Sequence, residues 1–280
     1  MGTRFTRILV PLALPALLAS GLRAQAAPSR DVILATTTSL QETGLLDTLT
    51  PLFRAATGYT LRPVAVGSGQ ALKMAERGDA DVVLAHAPEA EAAFMAAGHG
   101  VRRRIVAWNY FTIVGPQGDP AAARAAPSAV EAFARIRAAG AVFVSRGDSS
   151  GTQLRELALW RAAGVHPPWD GYIESGQGMS ATLRLASERR GYTLTDRATF
   201  ATLRHELDLV PVRGDEPSLL NVYHVIELNP AGHPRTNVDG GRAFADFITS
   251  PAVQDLIGAF GRERIGVPLF VAARGVEPAR

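Results

Sequence analysis

Residues 31–58, DVILATTTSLQETGLLDTLTPLFRAATG, set a short apolar run, DVILAT, against a cluster of hydroxyl residues, and follow it with an amphipathic stretch that stops at Gly58. The run has the length and composition of a strand, and a glycine just past the last apolar position is a helix stop. The same order returns at once: LRPVAV (61–66) reads as a strand, GSGQ (67–70) as a loop, ALKMAERG (71–78) as a helix and ADVVLAH (80–86) as the next strand. Strands alternating with helices predict an α/β fold with parallel strands, and a loop leaving the end of each strand is where open α/β sheets bind ligands.

Further along, VRRRIVAWNYFTIVGP (101–116) predicts one long extended segment with a turn after Gly115. It would carry the chain into a second lobe. That lobe is expected to hold the helix PSAVEAFARIRAAG, the strand AVFVS, the loop RGDSSGT, the helix QLRELALWRAAG, a connection from Val165 to Gly178, the helix MSATLRLASERRG and the strands YTLTD and LDLVP. A second long extended run, LLNVYHVIELNP (219–230), returns the chain to the first lobe, where a closing helix pair spans DGGRAFADFITSPAVQDLIGAF. Two crossings imply two lobes with a cleft between them: residues 27–113 with 223–280, and residues 114–222. The alanine-rich stretch from Asp119 to Ala126 reads as a surface helix or loop.

Three loops lie between a strand and a helix: TTTS (36–39), GSG (67–69) and SRGDSSGT (145–152). Each offers unsatisfied N–H groups, the positive end of a helix dipole and hydroxyl donors. Three such ends aimed at one point make an anion site, to which Arg146 adds a planar, permanently charged fork. One arginine with several neutral donors suits a small tetrahedral dianion. Charge and shape do not separate tungstate, molybdate and sulfate, while protonated phosphate asks in addition for a carboxylate acceptor, a role open to Asp148.

Gly-Asp-Ser at 147–149 also resembles the surroundings of a serine-protease nucleophile, so a secreted serine hydrolase using Ser150 is a reading from another class. His86 would be its base. The α/β pattern is incompatible with a double β-barrel, position 150 is serine where that motif has glycine, and no G-x-S-x-G elbow is present. Asp148 is better placed to cap the following helix or to pair with Arg146 or Arg155. His86, His99, His166, His205, His224 and His233 are scattered, with no i, i+4 pair and no spacing that suits a metal, so no metal or cofactor is expected. Trp108, Trp160 and Trp169 read as core or hinge packing.

At the N-terminus, Arg4 and Arg7 precede the apolar run Ile8–Leu22 and the small-x-small triplet Ala24-Gln25-Ala26, which predicts a signal peptide over residues 1–26 and export to the periplasm. Pro11 and Pro15 and the shortness of the run argue against a membrane anchor. The 280 residues contain no cysteine, so the exported chain must be held by its core and carries no lipidated cysteine. The net charge of +3 is small, Lys73 is the one lysine, and no basic stripe is interleaved with aromatics, so nucleic acid is not an expected partner.

Taken together, LATTTSLQETGLLD, GSGQAL, GDADVVLAHAPEAE, YFTIVGP, SRGDSSGT, GQGMSATLRLASE, YTLTDRATF, VIELNP and FITSPAVQDLIGAFG cover nearly all of the exported chain. With them the chain resembles the tungstate-binding, TupA-like substrate-binding proteins of ABC importers, within the periplasmic binding protein superfamily. That resemblance implies the two-lobed type II fold, capture of tungstate in the cleft and delivery to an inner-membrane ABC permease by a monomer without enzymatic activity. Molybdate is the nearest alternative ligand. Carried over by position, the anion-binding residues are Thr37, Thr38 and Ser39; Ser68 and Gly69; and Arg146, Ser149, Ser150, Gly151 and Thr152. Ser180 and Thr182, at the start of the MSATL helix, are secondary candidates. A ligand-sensing domain of a transcription regulator shares the fold, but the signal peptide and the lack of a helix-turn-helix segment before Asp31 oppose that reading.

Overall fold

The computed structural model describes residues 29–278 together with Gly2, so the expected signal peptide lies, but for Gly2, outside the described residues. The first strand, β1 (Asp31–Thr37), runs into the short helix α1 (Thr38–Glu42) and then α2 (Leu45–Thr57). Leu45, Leu46, Leu49 and Phe53 form one buried stripe on α2, and Gly58 ends it in the left-handed region at φ 74°, its N–H donating to the Arg54 carbonyl. β2 (Thr60–Val66), α3 (Ser68–Glu76), β3 (Val82–Ala85) and α4 (Pro88–Ala96) repeat the unit. β2 and β3 both pair with β1 in parallel, as the alternating pattern predicts.

The next strand, β4 (Gly100–Gly115), is the spine of the molecule. Its first part, through Tyr110, lies antiparallel to β9 (Leu220–Leu228), which in turn is antiparallel to β3. From Phe111 onward β4 pairs instead with β7 (Thr193–Asp196) and β8 (Val210–Arg213). One strand therefore serves two lobes, and the sheet is mixed rather than parallel. The long apolar runs carry no record of strand direction, because a strand buried on both faces looks alike in either sense.

Around the second part of β4 fold α5 (Ala129–Ala138), β5 (Phe143–Ser145), α6 (Gly151–Ala162), β6 (Tyr172–Glu174), α7 (Met179–Glu188) and α8 (Arg197–Leu203). β5 pairs in parallel with β6 and, through a single bridge at Phe143 and Tyr192, lies beside β7. The chain closes with α9 (Val238–Ile248), α10 (Pro251–Ala259), α11 (Arg262–Ile265) and β10 (Val271–Ala272), the last pairing with β4. Each lobe has its own core. Phe53 meets Phe244 edge-on at 5.5 Å in the first, while Phe133, Phe143 and Trp160 interlock in the second with Phe133 and Trp160 centroids 4.3 Å apart.

Two local expectations need correction and a third is refined. The strand expected at LDLVP begins later, at Val210, and runs to Arg213. The connection from Val165 to Gly178 contains β6, which is too short to show a period. The alanine-rich stretch is a surface loop with one buried side: Ala122, Arg124 and Ala125 are exposed, while Ala121, Ala123 and Ala126 are buried in the cluster of Phe133 and Tyr192, because small side chains let the loop pack closely over the second core.

Candidate functional site

The three loops singled out in the sequence meet at the seam between the lobes. Thr37 ends β1 and caps α1, its Oγ1 accepting from the Leu40 N–H at 3.4 Å. Ser68 opens α3 and is fully buried, its Oγ accepting from the His86 N–H at 3.4 Å. Ser150 caps α6, its Oγ accepting from the Gln153 N–H at 3.3 Å. A Cβ added to Gly67 would lie 3.1 Å from Ser150 Cα, and one on Gly69 would lie 3.0 Å from the Ser149 carbonyl oxygen. The GSG and SRGDSSGT loops are thus in backbone contact, which side chains at 67 and 69 would forbid.

Arg146 is 2% exposed and reaches across the seam, its Nη2 donating to Thr38 Oγ1 at 3.3 Å. The same nitrogen pairs with Asp148, whose Oδ1 also accepts from the Ser150 N–H at 3.1 Å. Of the roles expected for Asp148, the pairing with Arg146 is formed, whereas the cap of α6 is Ser150 and Asp148 only braces that cap through the Ser150 N–H. The Arg146 Nε and the Thr152 hydroxyl are buried and meet no partner among the described residues. Buried, unpaired donors are costly, and in native proteins they signal a missing acceptor. Because Thr38 Oγ1 accepts from Arg146, the Thr38 hydroxyl proton is left for a further acceptor.

Other expected site residues stand further back. Ser149 is exposed, sits in the left-handed region at φ 57°, and its N–H is held by the Gln153 side chain. The Thr182 hydroxyl donates to the Gly178 carbonyl at 3.0 Å and lies 2.7 Å from Ser175 Oγ, which reaches the Arg146 carbonyl at 3.2 Å, so Thr182 braces the arginine loop from behind. Ser180 lies beside a residue the sequence reading missed, Glu42.

Glu42 falls one helical turn after Thr38 and so shares its face of α1. Its Oε2 is buried without a partner among the described residues, and its Oε1 lies 3.0 Å from where a Cβ on Gly178 would sit, at the start of α7 in the other lobe. Burial, joined by Asp196, pushes the Glu42 carboxyl above its ordinary value, while Ser180 and Arg146 oppose the shift. His86, named in the sequence only as a hydrolase base, is the second residue missing from the expected anion set. It is 3% exposed and bonds Ser39 rather than Ser150, and burial holds its imidazole below the ordinary value. With Ser150 Oγ engaged in capping α6, the pairing that a serine nucleophile needs is not formed. Among the described residues no group of three or more His, Asp or Glu side chains is placed to hold a metal, and no helix is long and apolar enough to cross a membrane.

The profile of the PBP superfamily domain matches residues 23–252. A tungstate-binding protein TupA from Peptoclostridium acidaminophilum is 40% identical over 278 residues, covering 95% of this chain and 97% of the relative. The chain belongs to the TupA family. Among solved TupA-like structures, that of the tungstate ABC transporter from Geobacter sulfurreducens is 42% identical with a TM-score of 0.74, covering 82% of this chain and 98% of that one. The tungstate-binding protein TupA from Desulfovibrio alaskensis G20 is 41% identical with a TM-score of 0.71, covering 88% and 99%. The shared fold accounts for the two lobes.

Proposed function

We propose that this protein is a periplasmic solute-binding protein that captures a tetrahedral oxyanion, tungstate, between its lobes and delivers it to an ABC permease. The observation that carries this reading is the buried Arg146 Nε and Thr152 hydroxyl, unpartnered among the described residues where three helix starts converge. Thr38 adds a hydroxyl proton, and the opening N–H groups of α3 and α6 add neutral donors. Asp148 already balances Arg146, so a bound dianion is stabilised chiefly by neutral donors and helix ends, which suits an ion that must later be released.

The names of the relatives support tungstate over molybdate. We take the lobes to divide where β4 changes partner, between Tyr110 and Phe111, and at Leu220 on the return strand, close to the divisions expected at 113/114 and 222/223. Closure about these two crossings removes the anion from water. A monomer exported through its N-terminal signal completes the proposal. Calorimetric titration of the processed protein with tungstate, molybdate, sulfate and phosphate in separate runs tests it. Tight binding of tungstate with sulfate and phosphate silent is the expected result, a preference for molybdate would reassign the ligand, and silence for all four would reject the site.

A further inference from the structure

His86 opens the short loop after β3 and belongs to none of the three anion loops, yet it touches all of them. Its Nε2 lies 3.3 Å from Ser39 Oγ in the first loop, and its backbone N–H donates to Ser68 Oγ in the second. A Cβ added to Gly151, in the third, would stand 2.9 Å from the His86 ring and 2.8 Å from its carbonyl oxygen, so the α6 backbone rests directly on this residue. The remaining ring nitrogen, Nδ1, lies 2.8 Å from Asn221 Oδ1. Asn221 and Asn109 face each other on β9 and β4, two residues before β4 leaves the first lobe at Phe111.

The direction of every bond in this chain follows from one backbone carbonyl. The Leu269 carbonyl can only accept, so the Asn109 amide nitrogen donates to it at 3.4 Å and Asn109 Oδ1 turns toward Asn221. The Asn221 nitrogen then donates to Asn109 Oδ1 at 2.8 Å and to the Tyr223 hydroxyl at 3.1 Å, leaving Asn221 Oδ1 to accept from His86 Nδ1–H. A neutral imidazole protonated on Nδ1 presents Nε2 as an acceptor, which takes the Ser39 proton. Thr37, 3.3 Å from Ser39, is then the donor in their shared bond.

We propose that His86 is a positioning residue for the oxyanion site: held as the neutral Nδ1–H tautomer by the Asn221–Asn109 pair, it draws the Ser39 hydroxyl proton onto Nε2 and seats Gly151 on its ring when the lobes meet. Ser39 then serves the anion through its N–H and not through its hydroxyl, which refines the expectation that both would donate. The groups facing the imidazole agree with neutrality: burial lowers its proton affinity most, Arg146 acts in the same sense, and Asp196 and Glu91 oppose them. The inference rests on the cleft being the oxyanion site.

Its test joins nuclear magnetic resonance of the protein labelled with 15N-histidine to calorimetry of variants with sodium tungstate. One histidine should show the neutral Nδ1–H pattern from about pH 6 to 8, with and without tungstate. His86→Gln restores an acceptor near Nε2 and should bind tungstate within about threefold of the native protein. His86→Asn keeps only the donor toward Asn221 and should lose about tenfold, the size of one hydrogen bond. The double variant Ser39→Ala with His86→Asn should lose no more than the larger single loss, because the two side chains act as one unit. A buried ring in the Nε2–H or doubly protonated form, or equal binding by the Gln and Asn variants, would overturn the proposal. If the native protein ignored every oxyanion, the reading of the cleft would fall, while the tautomer pattern would still decide how His86 is wired.

Discussion

Glu156, one helical turn beyond Thr152 on α6, offers a quantitative test of how the arginine loop is held. It is 1% exposed, and burial raises its carboxyl to about 7 from an ordinary 4.5, against the pull of Ser145, Tyr172 and Trp160. Those three side chains donate to it at 2.8, 2.8 and 3.1 Å, and Ser145 immediately precedes Arg146. The folded-state value lies above the unfolded one, so the protonated carboxyl contributes its stability in full below the ordinary value. That contribution is lost as pH rises through about 7. The difference between the two values corresponds to about 3 kcal/mol. Glu156→Gln keeps an oxygen for Tyr172 and Trp160 and an amide for Ser145, but cannot ionise. Urea unfolding at about pH 5 and pH 9 should show the native protein losing most of that amount over the interval while the Gln variant changes far less. Parallel pH dependence in the two proteins would refute the burial argument.

Arg146→Ala should weaken tungstate binding by about 2–5 kcal/mol in calorimetry, because it removes a buried charged partner and strands Asp148 as well. Glu42 faces the same seam with its carboxyl raised by burial, so the native affinity for tungstate should increase as pH falls toward the ordinary carboxyl range, whereas Glu42→Gln should flatten that profile. Gly67→Ala should weaken binding and abolish any tungstate-induced compaction seen by small-angle scattering, since its Cβ meets Ser150 backbone at 3.1 Å when the lobes touch. Its melting temperature should stay close to native, because the clash arises between lobes and not within a core.

The strand–loop–helix units from β1 to β3 were legible because each strand is short, apolar and followed at once by hydroxyl or glycine residues, a local signal that needs no knowledge of the rest of the chain. Both long crossings were legible for the same reason: sixteen residues of β4 form one extended run with no breaker inside it. Their antiparallel pairing was not, nor was β6, since pairing partners lie up to more than a hundred residues apart, as for Asn109 and Asn221. Arg146 stood out because an arginine beside glycine and serine at a strand end has few structural uses. His86 and Glu42 did not stand out. One histidine after an apolar strand, or one glutamate in a short helix, is ordinary until its neighbours are known.

Residue types and their local order were enough to specify two α/β lobes, two crossings and three donor-rich helix starts, because strand length, helix period and turn chemistry act over a few residues. The meeting of those three starts, the reach of Arg146 to Thr38, and the directed chain from Leu269 to Ser39 depend on contacts between segments remote in sequence. Donor and acceptor roles along that chain are set by geometry and burial, and neither exists until the first lobe has folded.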